Sequence, residues 1–243
     1  MEYSLYKLRN WIDFKKMDWD CLSSNPKAIF LLEQNQDKIN WERLSSNPNA
    51  IHLLEKNYDK INWEHLSSNP SAIHILKKNI KKINWNTFSQ NTDSQAINIL
   101  EKNKKKINWY YISANPSAIR ILENNIDKID WYLILTNSEA LHIFEDVIKE
   151  NPYLTLDDSW NIKYVYSFLC GNKNAIHIVE KKADRINWSS ISKNSGAKTI
   201  IKQNLDKVNW TALSMNPVCI DILEQNKDKI DWINISLNPE IFT

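Results

Sequence analysis

The sequence predicts an all-α fold, an α-solenoid of about nine stacked helix pairs of ~22 residues, with a cap at each end. Three observations carry this. Ten of the eleven Trp recur along the chain, at Trp19, Trp41, Trp63, Trp85, Trp109, Trp131, Trp160, Trp188, Trp210 and Trp232, spaced by 22, 22, 22, 24, 22, 29, 28, 22 and 22 residues. Most periods carry the same two boundary signals, Asn-Pro and Lys-Ile-Asn-Trp. With 42% hydrophobic residues and 11 Trp in 243 positions, the chain can bury a substantial core and lies outside the disordered class.

The segment Asn47 to Ser68 shows how one unit works. Asn47 before Pro48 is a helix start: the residue before proline is pushed to extended geometry, and proline fits the first helical position because its missing N–H needed no partner. Ala50, Ile51, Leu53 and Leu54 give helix A a wide apolar face, as expected of a helix sandwiched between neighbouring repeats. Asn57 recurs as Asn35, Asn79, Asn103, Asn125, Asn204 and Asn226, where a left-handed C-cap is expected; Asn is the usual substitute for Gly there. Asn62, replaced by Asp130 and Asp231 in two units, caps a second helix of about two turns, and Trp63 and Leu66 share the face that packs between successive A helices.

Departures from the period are local. Residues 1–24 read as the N-terminal cap, with Leu5, Leu8, Trp11 and Ile12 covering the first face; 25–143 and 175–237 are regular repeats, and 238–243 is a truncated terminal repeat. Between Asn91 and Gln95 two residues are inserted, and Asn194-Ser195-Gly196 lacks the proline. Over 144–174 the register is lost, and a longer helix, a kink or a change of curvature is expected there.

The recurring L-S-x-N-P-x-A-I-x-L-L-E-x-N-x-x-K-I-N-W, ending in N-P-x-I-F, resembles the Trp-containing repeat family of giant DNA viruses of the mimivirus and marseillevirus groups, over Trp19 to Phe242. The resemblance implies a viral protein made in an infected host. It brings no settled activity and no catalytic residues.

Composition excludes several chemistries. Only two Gly, Gly171 and Gly196, leave no Walker or Rossmann phosphate loop. Net charge is +2, so no global pull toward nucleic acid or anionic membrane is expected, and no apolar run approaches a membrane span. Cys21, Cys170 and Cys219 form no C-x-x-C pair and read as reduced thiols of an intracellular protein; with the viral resemblance the expected location is the host cytoplasm, the virion or nucleus being the alternatives. His52, His74, His142 and His177 share one helix A position, but packed helices stand roughly 8–10 Å apart and metal ligands about 2 Å from the ion, so no metal is expected. The same position holds Phe30, Asn98, Arg120, Thr199 and Asp221, which reads as an exposed, freely varying site. No cofactor, small-molecule substrate or catalytic motif is expected either.

Two features point to binding. The basic residue of Lys-Ile-Asn-Trp recurs as Lys38, Lys60, Lys82, Lys106, Lys128, Arg185, Lys207 and Lys229, at helix ends where the dipole favours a cation. From Lys77 to Lys106 eight Lys, among them Lys78, Lys81, Lys82, Lys105 and Lys106, face only Asp93 and Glu101. Beyond them Tyr110, Tyr111 and Tyr132, with Arg120 nearby, have the composition of a protein hot spot or a base-stacking platform. The expectation is a non-enzymatic protein-interaction scaffold acting on a host or virion protein. Its rivals are a nucleic-acid binder using the same lysines and a structural component of a particle.

Overall fold

The computed structural model describes residues 6–150 and 162–243, with side chains described outside 147–150 and 162–164. It is all-α: among the described residues eighteen short α-helices are interspersed with 3₁₀ turns, and the only extended pairing is an isolated antiparallel bridge between Leu8 and Phe242. The chain forms two compact units, the first comprising Met1–Asn84 and Asn209–Thr243, the second Trp85–Val208.

Each repeat is built as its polar residues dictate. In the first unit, Asn62 in extended geometry caps the B helix Trp63–Ser68, its side chain accepting from His65 N. Asn69 then turns the chain, and Pro70–Ala72 form one 3₁₀ turn before the A helix Ile73–Lys78. The A helix thus starts three residues later than Asn-Pro suggests, because the asparagine holds a separate turn, with its Oδ1 accepting from Ser71 N. A further 3₁₀ turn, Ile80–Lys82, leads to the next B helix. Ala72, Ile75, Leu76, Leu66 and Ile83 are buried between neighbours.

The residue that ends the A helix is not left-handed. Asn57 and Asn79 have φ of −125° and −130°, and no described residue has positive φ. Their side-chain amides instead donate back to the carbonyl four residues earlier, Asn57 to Leu53 O at 2.9 Å and Asn79 to Ile75 O at 2.8 Å. The amide satisfies a helix-end carbonyl that a left-handed glycine cap would otherwise take.

Three ladders join repeat to repeat. In the first, the buried asparagine of Asn-Pro donates both Nδ2 protons to the preceding repeat: Asn69 bonds Ser45 O and Asn47 O at 3.0 Å each, and Asn47 bonds Ser23 O and Asn25 O likewise. In the second unit Asn115 and Asn137 repeat this toward Ser89 and Asn91, and toward Ser113 and Asn115. In the second ladder, the serine four residues after Trp donates to the Trp carbonyl and accepts from the backbone N–H of the next helix cap, as Ser45 does with Trp41 O and Asn62 N. In the third, the basic residue of Lys-Ile-Asn-Trp lies over the previous repeat's indole, Lys60 at 4.5 Å from Trp41 and Lys82 at 4.3 Å from Trp63. These lysines therefore do more than face a helix dipole. It follows that Trp63 is half-buried, not a core plug; Leu66 fills the core.

The register through the divergent segment differs from the Trp spacing. Trp160 lies outside the described residues, and its place in the ladders belongs to Tyr166, buried, with the Arg185 guanidinium 5.8 Å from its ring. Cys170 stands four residues on as the serine does: its thiol accepts from Asn187 N and its carbonyl from Asn194 Nδ2. The segment holds Leu141–Glu150 and Ile162–Gly171, ten residues each and longer than the other helices described, as its lost period predicts. The insertion near Asn91 is absorbed by Asp93, which caps a nine-residue helix, Ser94–Lys102. Where proline is missing, Gly196 is required for space: a Cβ there would stand 2.6 Å from Lys173 O.

The residues assigned to the two caps bury apolar faces, and within the first unit they cover each other. Ile12 and Phe242 are buried, Phe242 meets Phe30 edge to face at 5.7 Å, and Lys7 N donates to Thr243 O. Leu5 lies outside the described residues.

Candidate recognition surface

The position after the repeat's aromatic residue lies on the outer side of the B-helix segment, and the next is half-buried in most repeats, though buried as Cys21 and Ala212 in two. In the first unit this column carries charge in three repeats, with Asp20, Glu42 with Arg43, and Glu64 with His65, and none in the other two, Thr211 with Ala212 and Ile233 with Asn234. Neighbouring repeats pair along it, His65 Nε2 lying 3.1 Å from Glu42 Oε1.

In the second unit the same column is uncharged from end to end: Asn86 and Thr87, Tyr110 and Tyr111, Tyr132 and Leu133, Ser167 and Phe168, Ser189 and Ser190. Tyr110 is 55% exposed and stands edge to face with Tyr111, ring centres 5.3 Å apart; Tyr132 is 42% exposed and meets Phe168 at 6.0 Å. The contacts His65 to Glu42, Phe168 to Tyr132, and Ser190 Oγ to Ser167 Oγ share one register, second position against the previous repeat's first. In that register Leu133 holds the position that corresponds to Tyr110 of the previous repeat, and the aromatic residues of the column occupy three consecutive repeats. Sequence reasoning found the tyrosines and missed Phe168; counting 22 residues back from Trp188 to Tyr166 would have placed it.

Arg120 does not join the tyrosines. It clamps Glu101 of the preceding repeat, Nε to Oε1 at 3.0 Å and Nη2 to Oε2 at 2.6 Å. The histidines of the same A-helix position do likewise: Nε2 of His52, His74 and His142 lies 2.8, 3.0 and 3.3 Å from Glu33, Glu55 and Glu123. The position is therefore exposed but coupled to its neighbour, not freely varying. Among the described residues no three His, Cys, Asp or Glu gather around a metal-sized site.

The predicted lysines divide between the units. Lys78, Lys81 and Lys82 belong to the first, where Lys82 sits over both Trp63 and Tyr58; Lys105 and Lys106 belong to the second, where Lys106 sits 5.9 Å from Trp85. Lys78, Lys81 and Lys105 are exposed. All three thiols are buried. Burial, reinforced by a hydrogen bond to Asp18, pushes the Cys21 thiol up to about 11; burial also raises Cys170, against the hydrogen bond from Asn187 N.

No protein-family model, no curated protein and no solved structure matches this chain. The fold itself defines its class, an all-α protein of repeated short helices. Among the described residues, no helix is long and apolar enough to cross a membrane.

Proposed function

We propose that the chain is a non-enzymatic recognition scaffold, a member of the giant-virus Trp-repeat group it resembles, acting in the host cell on a host or virion protein. The observation that carries the reading is the uncharged aromatic face of the second unit. In a chain with 25% charged residues, five successive repeats present no charge there, and Tyr110 and Tyr132 stand exposed within it. Exposed tyrosines supply large, rigid contact area at low entropic cost, and a neutral surface binds without desolvating ions.

The rival reading, nucleic acid held by Lys78, Lys81, Lys82, Lys105 and Lys106, predicts a steep loss of binding with salt, because each phosphate contact releases a counterion. The test is affinity capture from host lysate, with and without nuclease, at two salt concentrations. Wild type is compared with Y110A/Y132A and with K81E/K82E/K105E/K106E. Under the proposal, a nuclease-resistant protein is retained by the lysine variant and lost by the tyrosine variant. Capture that disappears with nuclease, with salt and in the lysine variant would replace the proposal with nucleic-acid binding.

A further inference from the structure

Within the first unit, the first and last repeats meet through the same contacts that join any two consecutive repeats. Asn25 Nδ2 donates to Ser236 O at 3.0 Å and Asn238 O at 3.2 Å; Asp18 N donates to Ser236 Oγ at 3.0 Å; Lys16 Nζ lies 4.8 Å from the Trp232 ring. A salt bridge, Lys27 Nζ to Glu240 Oε1 at 2.8 Å, adds charge specificity. The two faces differ from each other, so this is a heterologous contact, the type that joins copies head to tail when the two faces come from different chains.

We infer that this interface is exchangeable and that its alternative occupant is a second copy of this chain. The last-repeat face of one copy fits the first-repeat face of another with each of these bonds preserved, as in a domain swap. No new complementarity has to arise, because the chemistry is already on both faces. Charge complementarity also holds between copies, with Lys27 on one face and Glu240 on the other. The choice between the two pairings is set by concentration: the intramolecular contact wins until the copy concentration rivals the effective concentration of the tethered faces. Exchange requires the buried asparagine bonds to open, so assemblies form during folding or partial unfolding and persist afterwards. The inference is independent of the aromatic surface.

The test uses full-length chains. In one, N25A/K27E spoils the first-repeat face; in the other, S236A/E240K spoils the last-repeat face. Each is refolded from urea, alone and as an equimolar mixture, at roughly 1 mM, above the effective concentration that so long a stretch of unfolded chain between the faces sustains. Mass is then read by light scattering on a sizing column. Each variant alone has no intact pair of faces and stays monomeric, whereas the mixture contains one native pair and gives a 1:1 species of twice the monomer mass. Wild type refolded at the same concentration gives multiples of the chain, and refolding after a roughly thousand-fold dilution gives monomer. A mixture that stays monomeric, or a variant that dimerises alone, overturns the inference. If helical circular dichroism shows a variant failing to fold, K27E and E240K as single charge reversals take its place, with the same criterion.

Discussion

Replacing Asn69 by Ala is the sharpest probe of how these repeats hold together. Asn69 is buried; its amide donates two 3.0 Å bonds into the previous repeat, and its oxygen accepts a third from Ser71 N. At about 0.5–1.5 kcal/mol net for each bond, with the two carbonyls Ser45 O and Asn47 O left facing a void, the loss is about 2–4 kcal/mol. Asn69→Asp keeps the shape but turns the donor into an acceptor opposite two carbonyls, so it should cost at least as much. Asn49→Ala is the control: its Nδ2 donates to Pro26 O at 2.8 Å, but in an exposed setting, where water replaces the bond and the loss is about 0.5 kcal/mol. Urea unfolding followed by circular dichroism gives all three free energies. If Asn69→Ala and Asn49→Ala unfold at the same midpoint, the asparagine ladder is not what joins the repeats.

Three further outcomes follow from the same geometry. A double-mutant cycle on Trp41 and Lys60, which lie 4.5 Å apart, should return a coupling of about 0.5–1 kcal/mol, and Trp41→Ala alone about 2 kcal/mol, below the ~3–5 kcal/mol of a fully buried indole; zero coupling would remove the cation–π ladder. Gly196→Ala drives a Cβ to 2.6 Å from Lys173 O, and should destabilise by about 1–3 kcal/mol, whereas Gly171→Ala, with open space around it, should be close to neutral or stabilising, as thermal melts would show. Cys21 and Cys170, buried and with raised pKa values, should react with an aromatic disulfide reagent at pH 8 only after urea unfolds the chain; rapid reaction of the native protein would contradict their burial.

The repeat, its all-helical character and the starts of its B helices were legible in the sequence because they rest on local chemistry: an Asn or Asp that caps a helix whatever surrounds it, and a period that the regularly spaced Trp advertise; the A helix starts three residues past the point that Asn-Pro suggested. Asn62, read as the cap of Trp63–Ser68, is the cap. The candidate tyrosines were legible as a departure from the charged or small polar residues that several other units place after Trp. Their register was not, since Trp160 is a stronger sequence signal than Tyr166, and only the bonds of Cys170 to Asn187 and Asn194 show which aromatic residue belongs to the period.

The tertiary structure alone decided what each recurring residue does toward its neighbour. A buried Asn and an exposed Asn look alike in a sequence, yet one bridges two repeats and the other only decorates a turn; the difference is whether water is present to compete. The lysine before Ile-Asn-Trp reads as a partner of the helix dipole until the preceding repeat's ring is seen beneath it. Likewise the pairing of the first repeat with the last joins residues more than two hundred positions apart, Asn25 with Ser236 and Asn238. A local period says that neighbours stack, but not that residues so far apart in sequence pair, because such a contact depends on the folded unit and not on the residues of any one repeat.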